Sequence, residues 1–156
     1  TIARRASGFD MEIRYHARHA VEGVPWAYEA ALTDLARWAD YLVVITAGGA
    51  ATRHLINDEV LSALGPRGFL INVSRGSVVD EAALVRALAE KRIAGAGLDV
   101  FENEPFVPEA LMAMDNVVLL PHIASATEET RQAMAQRVID NLDLFFAEGR
   151  LLSAAP

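Results

Sequence analysis

The sequence predicts an α/β domain, a doubly wound parallel sheet with helices on both faces. Three observations carry it: five short β-rich runs, helical periodicity in the segments between them, and the almost unbroken apolar character of the runs. The runs are 11–15, 41–46, 69–73, 96–100 and 117–120. Strands with one wet face alternate apolar and polar residues, whereas near-continuous apolar runs mark strands covered on both sides.

Taken in order, Ile2, Ala3 and Ala6 followed by Gly8 read as the last turn of a helix closed by glycine. Trp26 and Trp38 fall between the first two strands, where helix packing is expected for both. A helix is expected over 58–64, with His54 in a structural role at its start. The next, over 81–91, has Asp80 as N-cap and Leu84 and Leu88 stacked one turn apart. The last, over 127–147, places Met134, Val138, Leu142 and Phe145 on one stripe, with Ser125 and Glu128 spaced as a capping box.

At 156 residues and 53% apolar content the chain is the size of one domain and carries enough apolar surface for a core. A net charge of −7, with basic residues scattered, removes the electrostatic attraction that drives nucleic-acid binding. Without cysteine there is neither a disulfide framework nor a thiolate metal site, which fits a reducing compartment, and no metal is assigned. The apolar runs fall far short of the roughly 20 residues of a membrane helix, and the N-terminus lacks a signal pattern. A cytoplasmic protein with no membrane partner is expected.

In parallel α/β sheets, ligands bind at the carboxyl ends of the strands. The residues there are Arg18, Thr46 to Gly49, Arg75, Asp99 with Glu104, and His122. Each has an ordinary explanation alone: a surface arginine, a solvated acid, an aspartate capping a turn, a packed histidine. Together they offer a guanidinium, carboxylates and an imidazole to one crevice. A guanidinium clamps a carboxylate through two parallel hydrogen bonds, and a carboxylate beside an imidazole favours the protonated ring as a general acid.

The stretches Thr52-Arg53-His54-Leu55-Ile56-Asn57, Ile71-Asn72-Val73-Ser74-Arg75-Gly76 through Glu81, Gly95-Ala96-Gly97-Leu98-Asp99-Val100-Phe101 through Pro105, and Pro121-His122-Ile123 resemble the D-isomer-specific 2-hydroxyacid dehydrogenases in order and spacing. The resemblance implies a Rossmann-like fold and a hydride transfer between NAD(P)H and a small 2-keto or 2-hydroxy acid. It makes Arg75 the residue that binds the substrate carboxylate and His122 the proton donor to the C2 oxygen. Glu104 would hold His122 and keep it protonated. Cofactor contacts are expected from His16, Arg18, Thr46, Ala47, Gly48, Ser125, Asp99 and the main-chain carbonyl of Val73. Glu104 argues against the formate-oxidising branch, which carries glutamine there. Gly48-Gly49, where many members have His-x-Pro, resembles the glyoxylate and hydroxypyruvate reductase branch.

An NAD site usually ends this first strand with an acid for the ribose 2′-hydroxyl. Here Ile13-Arg14-Tyr15 runs into His16-Ala17-Arg18, so NADP is favoured, with NAD as the alternative. Residues 1–150 read as a dinucleotide-binding domain that lacks its first strand and glycine-rich loop, and 151–156 as a tail, with the substrate domain outside this chain. Gly95-Ala96-Gly97 is no substitute for that loop, because it continues into a strand rather than opening a helix. A homodimer is expected by resemblance, and the fragment alone is expected to be inactive. The rival expectation is a non-catalytic dinucleotide sensor or interaction domain of the same fold.

Overall fold

Short parallel strands alternate with helices in the computed structural model, which describes residues 1–153. Helix α1 is Ile2–Ala6, and strands β1 (Arg14–Tyr15) and β2 (Ala27–Tyr28) form a parallel pair. There follow α2 (Leu32–Trp38), β3 (Tyr41–Val44), α3 (Asp58–Leu64), β4 (Phe69–Asn72), α4 (Glu81–Ala89), β5 (Gly95–Leu98), α5 (Glu109–Met112), β6 (Val117–Leu119) and α6 (Glu128–Glu148). The order β3-β4-β5-β6 makes a four-stranded sheet, parallel throughout. This is the expected α/β, Rossmann-like architecture. The strands lie in two sheets rather than one, and among the described residues β1 and β3 each have one edge without a strand neighbour.

Local chemistry sets the helix boundaries. Asn57 caps α3 by accepting from Val60 N at 3.1 Å, and Asp80 caps α4 by accepting from Ala83 N at 2.9 Å. Helix α3 stops at Gly65, whose φ of 76° costs a residue without Cβ little.

The core lies on one face of the four-stranded sheet. Leu42, Val44, Leu70, Ala96 and Leu98 from the strands cluster with Leu35 and Ala36 of α2, Val60, Leu61 and Leu64 of α3, and Ala83, Leu84, Ala87 and Leu88 of α4. The opposite face keeps Tyr41, Val43, Phe69 and Val118 exposed, with Tyr41 and Phe69 stacked at 5.3 Å. Burial in β3 therefore alternates, although the sequence is apolar throughout and was expected to be covered on both sides.

Other expectations also shift. Strand β2 and helix α5 are short elements that the sequence pattern did not reveal, and Trp26 precedes β2 instead of lying in a helix. Gly8 sits within a 3₁₀ turn, and the left-handed residue there is Asp10 with φ 56°. His54 lies in the turn before α3, not at its start, with φ 52°. Thr127, not Ser125, caps α6, because its hydroxyl accepts from Thr130 N at 3.2 Å.

The chain divides into two compact units, Thr1–Pro121 and His122–Pro156. In the second, a turn leads into α6, which closes at Gly149 and carries Met134, Val138, Leu142 and Phe145 as an exposed stripe. Of the expected tail 151–156, residues 154–156 lie outside the described residues.

Leu70 is fully buried at the centre of the four-stranded sheet. Leu70→Ala is expected to cost about 2–5 kcal/mol by leaving a cavity, whereas Val43→Thr on the exposed face should change stability by less than about 1 kcal/mol. Urea unfolding of the two variants checks this contrast.

Candidate active site

Hydrogen bonds that continue the ladders past the last strand residues bring the carboxyl ends of the strands level. Val73 N donates to Val44 O at 3.2 Å, Asp99 N to Asn72 O at 3.0 Å and Leu120 N to Leu98 O at 2.9 Å. The loops leaving β3, β4 and β5 consequently start side by side. Thr46, Ala47, Gly48, Val73, Arg75 and Asp99 all belong to this edge.

Arg75 is set by the buried side chain of Asn72. Asn72 Oδ1 accepts from Ser74 N at 3.1 Å and Ser74 Oγ at 2.9 Å, while its Nδ2 donates to Arg75 O at 3.2 Å. One amide group thus closes the turn and fixes where the arginine leaves the main chain. The side chain is exposed, with one guanidinium nitrogen donating to Ser74 O at 2.6 Å. A Cβ on Gly76 would lie 1.9 Å from both the carbonyl carbon and oxygen of Phe101, so the Arg75-Gly76 turn packs directly on the main chain of the next loop.

That next loop carries Asp99 and Glu104. Asp99 is buried at the end of β5, and Glu104 is exposed, its Oε1 accepting from Phe101 N at 3.0 Å. Between them Glu102, not anticipated from the sequence, accepts from Arg53 at 2.7 Å and His54 Nε2 at 2.9 Å through one oxygen. The segment after the β3 loop is further stitched to the Arg75 loop: His54 N donates to Ser77 O, Ile56 N to Val78 O and Asp80 N to Ile56 O. Three loops are thereby joined at the strand ends.

Past β1, His16 Nδ1 is 2.9 Å from Glu29 O, so the ring is held against the neighbouring chain segment. Arg14 is committed elsewhere, pairing with Glu29 at 2.8 Å and lying 4.4 Å over the Trp38 ring. Arg18 is exposed, and among the described residues no ion pair engages it. An exposed guanidinium and a loop of small residues at Thr46–Gly49, with open space around Gly49, fit an anionic dinucleotide in donor chemistry and in room.

His122 is the first residue of the second unit, and its φ is 55°. A non-glycine residue held in the left-handed region is uncommon, and such positions concentrate at functional sites. Ser125 is exposed in the turn before α6. Among the described residues no cluster of His, Asp or Glu is arranged to hold a metal, and no helix is long and apolar enough to cross a membrane.

Burial raises the pKa of Glu81, the main cause; the amide of Glu102 donates to its carboxylate at 3.2 Å and opposes that rise, and the nearby Glu102 charge adds to it. A raised acid makes its stabilising contribution while protonated and loses it as pH rises through the folded-state pKa. Glu81→Gln, which keeps a carbonyl for the Glu102 amide, is expected to raise the melting temperature at pH 7. At about pH 4 and below, where a free glutamate is largely protonated, the gain should disappear. Thermal melts at both pH values check it.

The model of the D-isomer specific 2-hydroxyacid dehydrogenase NAD-binding domain matches residues 1–124. The chain is 49% identical over 152 residues to 2-ketogluconate reductase of Gluconobacter oxydans, covering 97% of this chain and 49% of that protein. Against glyoxylate/hydroxypyruvate reductase A of Arabidopsis thaliana it is 47% identical over 152 residues, again 97% of this chain and 49% of the relative. Among solved structures, the NADPH-dependent glyoxylate/hydroxypyruvate reductase of Sinorhizobium meliloti, in complex with NADP and malonate, superposes with a TM-score of 0.96 at 55% identity, covering 99% of this chain and 48% of the other. The chain thus spans about half the length of these relatives. With its parallel sheet, its arginine turn after β4 and its buried aspartate after β5, the chain belongs to the D-isomer-specific 2-hydroxyacid dehydrogenases, as their NAD-binding domain.

Proposed function

We propose that the protein carrying this chain is an NADP-preferring reductase of a small 2-keto acid, glyoxylate or hydroxypyruvate, with residues 1–150 as an incomplete dinucleotide-binding domain and 151–156 as a tail. The substrate domain belongs outside this chain, a reading supported by the half-length coverage of the relatives. A cytoplasmic homodimer belongs to the same proposal.

The observation that carries the reading is Arg75: an exposed guanidinium on a turn that Asn72 and Gly76 hold rigid, at the carboxyl edge of a parallel sheet. Arg75 binds the substrate carboxylate and orients the keto group, because a planar fork matches a carboxylate through two parallel bonds. His122 is assigned the proton transfer to the C2 oxygen, and Glu104 the carboxylate of the catalytic set. NAD(P)H supplies the hydride when bound. Asp99, the Val73 carbonyl, Ser125, Thr46 and Ala47 are assigned to the cofactor, and Gly48 follows the last two in the β3 loop. Arg18, with His16 beside it, meets the 2′-phosphate; support comes from its exposure and from the NADPH dependence stated for the similar Sinorhizobium meliloti enzyme.

The test is steady-state oxidation of NADPH and of NADH by the full-length protein with each keto acid. Turnover favouring NADPH is expected, with a fall of about 10²–10⁴-fold in His122→Gln and a selective loss of NADPH use in Arg18→Ala. Turnover with NADH alone removes the Arg18 assignment. Tight NADPH binding without turnover of either acid replaces the reductase with a dinucleotide sensor.

A further inference from the structure

The family resemblance implies a cofactor contact at Gly48, yet its bare Cα faces the Arg75 side chain. A Cβ built on Gly48 would lie 2.8 Å from Arg75 Cγ and 3.1 Å from Arg75 Cβ. Those atoms are the root of the arginine, not its flexible end, so they swing aside only if the whole side chain changes rotamer or the main chain moves.

Both main chains are held. On the arginine side, the Asn72 side chain bonds Ser74 N and Arg75 O, and Gly76 rests on the carbonyl of Phe101. On the glycine side, Thr52 Oγ1 donates to Ala47 O at 2.7 Å and to Gly49 O at 3.2 Å, bracketing residue 48. Any added side chain therefore acts on the Arg75 rotamer. Its own backbone does not forbid one: the left-handed glycine of this loop is Gly49, at φ 149°, and not Gly48.

We infer that Gly48 is a positioning residue for substrate: the absence of a side chain there sets the direction of the Arg75 guanidinium and so determines how a 2-keto acid carboxylate is held. This rests on the reading of Arg75 as the carboxylate clamp. It makes position 48 a determinant of substrate efficiency and not of cofactor affinity. A clamp displaced by about 1 Å costs up to about 10²-fold in rate while the rest of the site stays formed.

The experiment is a double-mutant cycle in the full-length protein with Gly48→Ala, Arg75→Ala and the pair, reading kcat and KM for glyoxylate at saturating NADPH, NADPH Kd by fluorescence, and the melting temperature. Gly48→Ala is expected to lower kcat/KM by about 10- to 100-fold, with NADPH Kd and melting temperature unchanged. In the Arg75→Ala background it should have no further effect, because the group it displaces is gone. Gly48→Ser should repeat the pattern.

An equal loss in both backgrounds, an unaltered kcat/KM, or a weakened NADPH Kd with KM for glyoxylate unchanged overturns the inference; the last returns Gly48 to the cofactor. If Arg75→Ala alone leaves kcat/KM intact, the clamp reading itself fails and the inference falls with it.

Discussion

The turn that follows β4 lies so close to the loop that follows β5 that only glycine fits between them. A Cβ at position 76 would sit 1.9 Å from the Phe101 carbonyl, far inside van der Waals contact, and 2.4 Å from Glu102 N. That contact aligns the arginine-bearing turn with the loop bearing Asp99 and Glu104. The ladder bonds from Val73 and Asp99 bring the two loops level, and the Gly76 contact locks their separation. A polar group placed on either loop thus inherits the rigidity of the sheet, which is what a site needs to hold its geometry.

Polar cross-links add to this constraint at modest cost in burial. Glu102 accepts from Arg53 and His54 at the loop surface, and its amide is received by Glu81. Exposed ion pairs contribute little to overall stability, so the effect of these contacts is to register the loops and not to hold the fold together. The core under the sheet, from Leu35 to Leu111, does the latter through burial of aliphatic side chains.

The longer elements were legible in the sequence because their signals are local. Asp80 and the Leu84 and Leu88 spacing mark α4, and the apolar runs mark β3 to β6 to within two residues at each end. Strand β2 was not legible: Ala27–Tyr28 is two residues long and too short for any periodicity. Apolar content also misled, since Tyr41, Val43 and Phe69 look buried by composition but face outward. Of the candidate site, Arg75, Asp99 and Glu104 stood out by chemical type at strand ends. The groups that position them did not. Asn72 reads as a strand residue until its side chain is seen to close the turn, and Glu102 meets His54 across 48 residues of sequence, a pairing no local pattern encodes.

We propose that Arg75, presented by a rigid turn, holds the substrate carboxylate. The most direct measurement is a crystal structure of the full-length protein with NADP and oxamate, an unreactive 2-keto acid mimic. The expected result is the oxamate carboxylate bound by the Arg75 guanidinium through two parallel bonds of about 2.7–2.9 Å. Oxamate held by other residues, with Arg75 still folded onto the Ser74 carbonyl, would contradict it.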